Sequence, residues 1–186
     1  GYSALAANTT GEVNTAIGAS SMATNTTGFG NTAVGRSALL ANLTGSNNTA
    51  IGHIALCANT TGTCNVAIGR EALDSNTTGS VNIAIGTDAL QGNTSGSSNV
   101  AIGDDAMKTN STASNNVGVG QSALCSNTTG TENTAVGKDA LKLNVGAIQN
   151  TAVGTSALRD NTTGACNTAV GFNSLVQSTT SSNNTA

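Results

Sequence analysis

Apolar and polar positions recur along this chain with a strict period. A β-branched residue stands at Thr15, Thr32, Thr49, Val66, Ile83, Val100, Val117 and Thr134. Two positions later comes an Ile or Val: Ile17, Val34, Ile51, Ile68, Ile85, Ile102, Val119, Val136, Val153 and Val170. Between them lies Ala16 and its counterparts, replaced once by Gly118. A second apolar column holds Leu5, Met22, Leu39, Leu56, Leu73, Leu90, Met107, Leu124, Leu141, Leu158 and Leu175. Every column steps by 17 residues, without insertion or deletion. Short β-branched runs predict strands. In such a strand Thr15 and Ile17 face one way, and Ala16 and Gly18 the other. Neither face carries charge, so both are expected to be covered, with the Ile/Val and Leu/Met columns both buried.

The polar positions keep the same period. Asn recurs at Asn14, Asn31, Asn48 and onward to Asn184, and Gly at Gly1, Gly18, Gly35 and onward to Gly171. The consensus is N-T-A-[VI]-G-x-x-A-L-x-x-N-T-T-G-x-x. Such a unit is too short for two helices and a turn, and glycine at two fixed columns disfavours helix. The predicted fold is all-β: a parallel β-solenoid in which each repeat makes one coil. Neighbouring coils would pair as parallel strands about 4.8 Å apart, so about eleven coils give a rod roughly 50 Å long. The absence of insertions follows, because one extra residue turns every later side chain out of its column. Stacked Asn side chains can hydrogen-bond along the axis as amide ladders, and Asn also tolerates a left-handed corner. Two large apolar ladders per coil make a thin core. That favours self-association, the Ile/Val or Leu face of one chain lying against copies of itself in a trimer about the fibre axis or in a filament.

Composition agrees with an ordered rod. Charged residues are 8% and aromatics 2%, net charge is −3, and there is no proline. A proline-free chain suits a backbone whose N–H groups are all needed for ladder bonds. No apolar run of 18 residues exists to insert into a membrane. With no basic cluster, and only Tyr2, Phe29 and Phe172 to stack on bases, nucleic acid is not an expected partner. Residues 1–186 form a single continuous array. With no capping repeat at either end and no signal peptide, it reads as an excerpt of a longer fibre.

Segments such as Asn14-Thr15-Ala16-Ile17-Gly18 and Asn133-Thr134-Ala135-Val136-Gly137 resemble the A-[IV]-G repeats of trimeric autotransporter adhesin heads. The full 17-residue unit is more similar still to repeats of phage-type tail fibres and related bacterial surface proteins. The resemblance covers the whole chain. It implies a left-handed β-roll, three chains sharing an apolar centre, and a place on a cell or virion surface or in an extracellular filament. It also implies that any cell-surface or glycan ligand is bound through a tip outside these repeats. The repeat length and the Asn-Thr-Thr-Gly segment depart from the autotransporter motif.

Few residues offer chemistry. His53, the only histidine, shares a variable column with Tyr2, Ala19, Arg36, Arg70 and Asp104, and reads as an exposed loop residue. No nucleophilic pair can be built around it. Glu71, Asp88 and Asp105 share one column in successive coils. A cation between them would relieve their repulsion, but an edge partly neutralised by Arg70 and Lys108 is the favoured reading. Gly118-Val119-Gly120 precedes no helix and is no dinucleotide site. Catalytic residues, metal ligands and cofactors are therefore not expected. Of the four cysteines, Cys57 and Cys125 share a column, as do Cys64 and Cys166. These pairs lie coils apart and beyond bonding reach, which leaves Cys57–Cys64 as the one internal disulfide to consider. Asn8, Asn25, Asn42, Asn59, Asn76, Asn93, Asn110, Asn127 and Asn161 each begin an N-x-[ST] sequon. If their column faces solvent it could carry N-glycans, while the Asn14 column serves as the buried ladder.

The leading functional expectation is a non-enzymatic structural or adhesive fibre segment. Alternatives are an ice-binding solenoid and a glycan-bearing scaffold. The ice reading is weakened by the Thr array, in which Thr10 has only Asn8 as its same-face neighbour while Thr9 points away. Leu43 and Val145 interrupt the Thr9 column.

Overall fold

A computed structural model describes residues 1–186. It contains ten three-residue strands: β1 (Thr15–Ile17), β2 (Thr32–Val34), β3 (Thr49–Ile51), β4 (Val66–Ile68), β5 (Ile83–Ile85), β6 (Val100–Ile102), β7 (Val117–Val119), β8 (Thr134–Val136), β9 (Thr151–Val153) and β10 (Thr168–Val170). They form one parallel sheet in sequence order. Each residue pairs with the one 17 positions on, as in Val66↔Ile83, Ala67↔Ala84 and Ile68↔Ile85. The fold is thus the all-β parallel solenoid with one repeat per coil. Nine ladders join the ten strands, and the eleventh strand position is reduced to a single bridge, Thr168↔Thr185.

The sheet covers one side of the rod, but hydrogen bonding along the axis continues around the whole coil. In the turns, Leu90 N–H donates forward to Ala106 O at 3.0 Å, Asp88 N–H back to Arg70 O at 3.0 Å, and Ser98 N–H back to Ser80 O at 3.0 Å. These three donors share a backbone feature: each is left-handed, with φ of 52°, 56° and 59° respectively. Their columns keep that conformation from coil to coil, whatever the side chain. A left-handed non-glycine residue costs roughly 1–2 kcal/mol. Here the twist aims an N–H along the rod, where an axial bond worth about 1 kcal/mol offsets much of it. The Asn columns, by contrast, are not left-handed; their role is the ladder alone. At Val81 a β-branched, 57% exposed side chain sits at φ 61°, while Asn47, Asn115 and Asn183 hold the same column. Val81→Asn is accordingly expected to stabilise the rod by about 1 kcal/mol, raising Tm by roughly 3 °C. A lowered Tm in a thermal melt would contradict this explanation of the turns.

The interior corrects one expectation. The Leu/Met column is fully buried from Met22 to Leu158, but the large side chains beside it are not Ile and Val. Ala33, Ala50, Ala67 and their equivalents point inward from the strands and pack on Leu or Met and on the second alanine column, Ala38, Ala55, Ala72 and so on. The Ile/Val column points outward and is half-exposed or exposed, as at Ile51 (38%) and Ile102 (37%). The cause is space: coils this small have room for one large side chain, and the strand's two-residue alternation places Ala there. The fit is close. A Cβ on Gly118, the one glycine within a strand, would lie 2.9 Å from Met107 Cγ. Gly118 thus leaves room for the longer, unbranched Met107.

Burial of one Leu per coil is worth only about 2–3 kcal/mol, far below the conformational entropy of the residues it orders. The rest of the interior is polar, and its Asn side chains are paired from coil to coil up to Asn161, whose Oδ1 has no partner where Ser178 replaces the next Asn of the ladder. Asn82 N–H and Nδ2 both donate to Asn65 Oδ1 at 3.0 and 3.2 Å, and Nδ2 also donates to Gly96 O at 2.9 Å. Asn93 Nδ2 donates to Asn76 Oδ1 at 2.8 Å and to the same Gly96 O at 3.0 Å. The carbonyl between the two Asn columns therefore ties both ladders together. The motif repeats along the rod, and Ala113 and Ala147 accept the same pair of bonds where glycine is absent.

Candidate interaction surface

The Asn ladders decide what the outside of the rod can offer. Both Asn columns face inward, and Asn25, Asn42, Asn59, Asn76, Asn93, Asn110, Asn127 and Asn161 are 0% exposed. Asn8, in the first coil, is half-buried and already donates to Gly11 O at 2.9 Å. The sequon column is therefore a second amide ladder, and the expectation of a glycan-bearing face is withdrawn: from Asn25 to Asn161 each side chain is enclosed with its Nδ2 donating to its neighbours, and Asn8 Nδ2 donates to Gly11 O. The Cys57–Cys64 disulfide is also absent. Both thiols are free, Cys57 half-buried and Cys64 exposed. They project from separate outward turns, on either side of the inward Asn59 and Gly62. Burial, with Asp74 nearby, raises the pKa of Cys57 above the usual thiol range, which disfavours its thiolate.

Three outward strips remain. The first is charged. Asp88 lies between Arg70 Nη2 at 3.1 Å and Lys108 Nζ at 3.0 Å, and Lys108 also reaches Asp105 Oδ1 at 2.9 Å. Glu71 pairs with Arg70 and accepts from Gln91 Nε2 at 2.7 Å. The acidic column is thus the neutralised edge expected from the sequence, with its carboxylates engaged by Arg, Lys and Gln. The bonds from Asp105 and Asp88 hold Lys108 above the usual lysine range. His53 is exposed. Asp74, in the same region, has its carboxyl pKa raised by burial first and by Glu71 and Asp88 next, against a lowering bond from Ser75. Because the folded value lies above the unfolded one, the charged carboxylate costs stability at neutral pH, and the cost vanishes as pH falls below the usual carboxylate range. Asp74→Asn should raise Tm slightly at pH 7 and have no effect near pH 3. A gain that persists undiminished at pH 3 would rule out this electrostatic cause.

The second strip is the Thr pair. Hydroxyls of the Thr9 column donate to a carbonyl of the next coil, as Thr60 Oγ1 to Thr77 O and Thr77 Oγ1 to Thr94 O, both at 3.0 Å. The Thr10 column beside it is exposed at Thr27, Thr61, Thr78 and Thr129.

The third strip is the outer face of the sheet, and the sequence reading missed it as a surface. From β1 to β10 every outward side chain is Thr, Val or Ile, and none is charged. The first outward position reads Thr15, Thr32 and Thr49 on β1–β3, Val66, Ile83, Val100 and Val117 on β4–β7, then Thr134, Thr151 and Thr168 on β8–β10. The second is Ile or Val throughout. A signal was present in the sequence. The column that alternates freely between Thr and Val tolerates a hydroxyl, as a surface does, while its Ala neighbour admits only Gly as a replacement.

No pocket opens on the rod. Comparison with known proteins found no matching family model, no matching curated protein and no matching solved structure.

Proposed function

We propose that this chain is a non-enzymatic, load-bearing segment of a fibre: a stiff spacer of a cell-surface, virion or extracellular filament that carries a binding tip away from its anchor. The observation that supports the reading most is the continuity of axial bonding. Strand ladders, turn N–H groups, two Asn ladders and the Thr9-column hydroxyls all run from coil to coil in one register. Such a rod resists bending and leaves little loose backbone for proteases. The groups with most chemical potential fit the same reading, since the carboxylates of Glu71, Asp88 and Asp105 are held in ion pairs. The surface location is part of the same proposal and is supported by the resemblance of the repeats.

The test combines small-angle scattering with native proteolysis. A rod about 50 Å long, uncut by trypsin at the exposed Arg36 and Lys138 over hours, is the expected result. A compact particle or rapid cleavage would overturn the spacer reading. So would a catalytic turnover abolished by His53→Ala or Asp105→Asn. Ice binding is checked on the same sample. With the Thr9-column hydroxyls already donating to carbonyls, no thermal hysteresis is expected at micromolar protein, and faceted ice crystals would replace the fibre reading.

A further inference from the structure

We infer that the outer face of β1–β10 is a self-docking surface, centred on β4–β7 and covered by the same face of a second copy of this chain. The inference deepens the fibre reading by naming its lateral partner, and it rests on that reading.

The profile of the face is that of an interface. Val66, Ile68, Ile83, Ile85, Val100, Ile102, Val117 and Val119 form an uninterrupted apolar centre, and Thr flanks it on both sides in the first outward column. An apolar centre with a polar rim is the usual anatomy of a protein contact. The arrangement has no use for the fold itself, whose core is Ala and Leu on the opposite side of the same strands.

Three features select a second copy as the occupant. Charge is the first. No outward position on the ten strands is ionisable, so the face offers nothing to a nucleic acid, an anionic membrane or a charged peptide. Period is the second. Rows of β-branched side chains repeat every coil, about 4.8 Å, and another copy matches that spacing along its whole length, so rows interdigitate without drift. Symmetry is the third. A twofold axis parallel to the rod sets each strand of one copy against the same strand of the other, so the apolar centre of β4–β7 lies on itself and Thr rim on Thr rim. Isologous contacts require that self-complementarity.

Area sets the strength. Ten strands at about 4.8 Å, each roughly 10 Å long, give about 500 Å² of face per copy. That is at the upper range of the largest apolar patch on an ordinary monomer. Two such faces bury on the order of 1,000 Å², the lower limit for a specific contact. A reversible dimer of roughly micromolar Kd is therefore expected, with neighbouring fibres or chains held laterally by many such contacts.

Sedimentation velocity of the 186-residue chain, from about 1 to 300 µM, tests this. The expected result is a concentration-dependent dimer. The triple variant Ile68→Thr, Ile85→Thr and Ile102→Thr keeps β-branching and so the strands; circular dichroism checks that it remains folded. It should raise Kd about 100-fold or more, because six side chains of the dimer change. Thr78→Lys, on the far Thr strip, should leave Kd within twofold. A chain that stays monomeric at 300 µM, an assembly indifferent to the triple variant, or one dissociated by Thr78→Lys would each overturn the inference. Scattering of the monomer separates the two readings. A monomeric rod removes the docking face and leaves the spacer standing, whereas a monomer that is not a rod removes both.

Discussion

Replacing Asn82 by Asp should be among the most damaging single changes this rod can suffer, costing about 4 kcal/mol at pH 7 in a urea melt. The side chain is fully buried, and its Nδ2 donates to Asn65 Oδ1 at 3.2 Å and Gly96 O at 2.9 Å. A carboxylate has nothing to donate, so the substitution sets an oxygen against two oxygens and places a charge where no cation reaches. The Oδ1 end survives and can still accept from Asn99 N–H and Nδ2, so the loss belongs to the donor side alone. The pH dependence carries the diagnosis. Burial raises the carboxyl's folded pKa above its unfolded value. The penalty is then present at neutral pH and shrinks as pH falls through that folded value toward pH 3, where a protonated carboxyl can donate one bond. Asn82→Ala should cost less, about 2 kcal/mol, and be independent of pH: it orphans the Asn99 N–H, whose acceptor is Asn82 Oδ1. An Asp variant as stable as wild type at pH 7 would mean that the amide ladders are ornament and that other bonds hold the coils.

The second large effect is expected at Gly86. Its φ is 134°, a conformation L-residues rarely adopt, and a Cβ there would lie 2.5 Å from Gly103 O and 2.6 Å from Gly103 C of the next coil. Backbone strain of 1–3 kcal/mol adds to a clash with main chain that cannot move without shifting a ladder. Gly86→Ala should therefore destabilise by about 3 kcal/mol or more. Gly92→Ala is the matched control. Its φ is not positive, and although a Cβ there would approach Lys108 O to 2.9 Å, Ala7, Ala41 and Ala58 occupy the same column of other coils, so the change should alter stability by less than about 1 kcal/mol. Equal losses at the two sites would show that the twist at the strand end is not what fixes glycine there.

These two residues also mark what could be read from sequence. The period alone gave the coil, the strands, the register and the neutralised acidic edge, because a solenoid translates each repeat onto the next and column identity becomes spatial adjacency. It did not give the inside from the outside. Thr-Ala-Ile is uncharged on both faces, and hydrophobicity alone points the larger side chains to the core. The coil is too narrow for them, a fact about diameter that no single repeat carries. The sequon column went astray for a related reason. Asn-Thr-Thr-Gly looks like an exposed turn, yet its Asn folds inward to share a glycine carbonyl with the other ladder. The left-handed columns were invisible as well. Leu90, Asp88 and Ser98 have side chains unrelated to that conformation, and axial hydrogen bonding imposes it. Of the surface, the charged strip was legible from Arg70, Glu71, Asp88 and Lys108, while the apolar sheet face appeared only once Ala67 and its equivalents were seen to take the interior.

The rise per repeat is the most direct test of the rod on which both functional readings stand. Pulsed electron–electron resonance can measure it between nitroxides on the exposed Thr strip, at Thr27→Cys with Thr129→Cys and at Thr27→Cys with Thr163→Cys, in a chain whose Cys57, Cys64, Cys125 and Cys166 are replaced by Ser. The pairs are six and eight coils apart, so the expected distances are about 29 Å and 38 Å, a difference of about 10 Å for two coils. Distances that fail to grow by that increment, or a broad distribution centred at one value for both pairs, would contradict a solenoid with one coil per 17 residues and the fibre built on it.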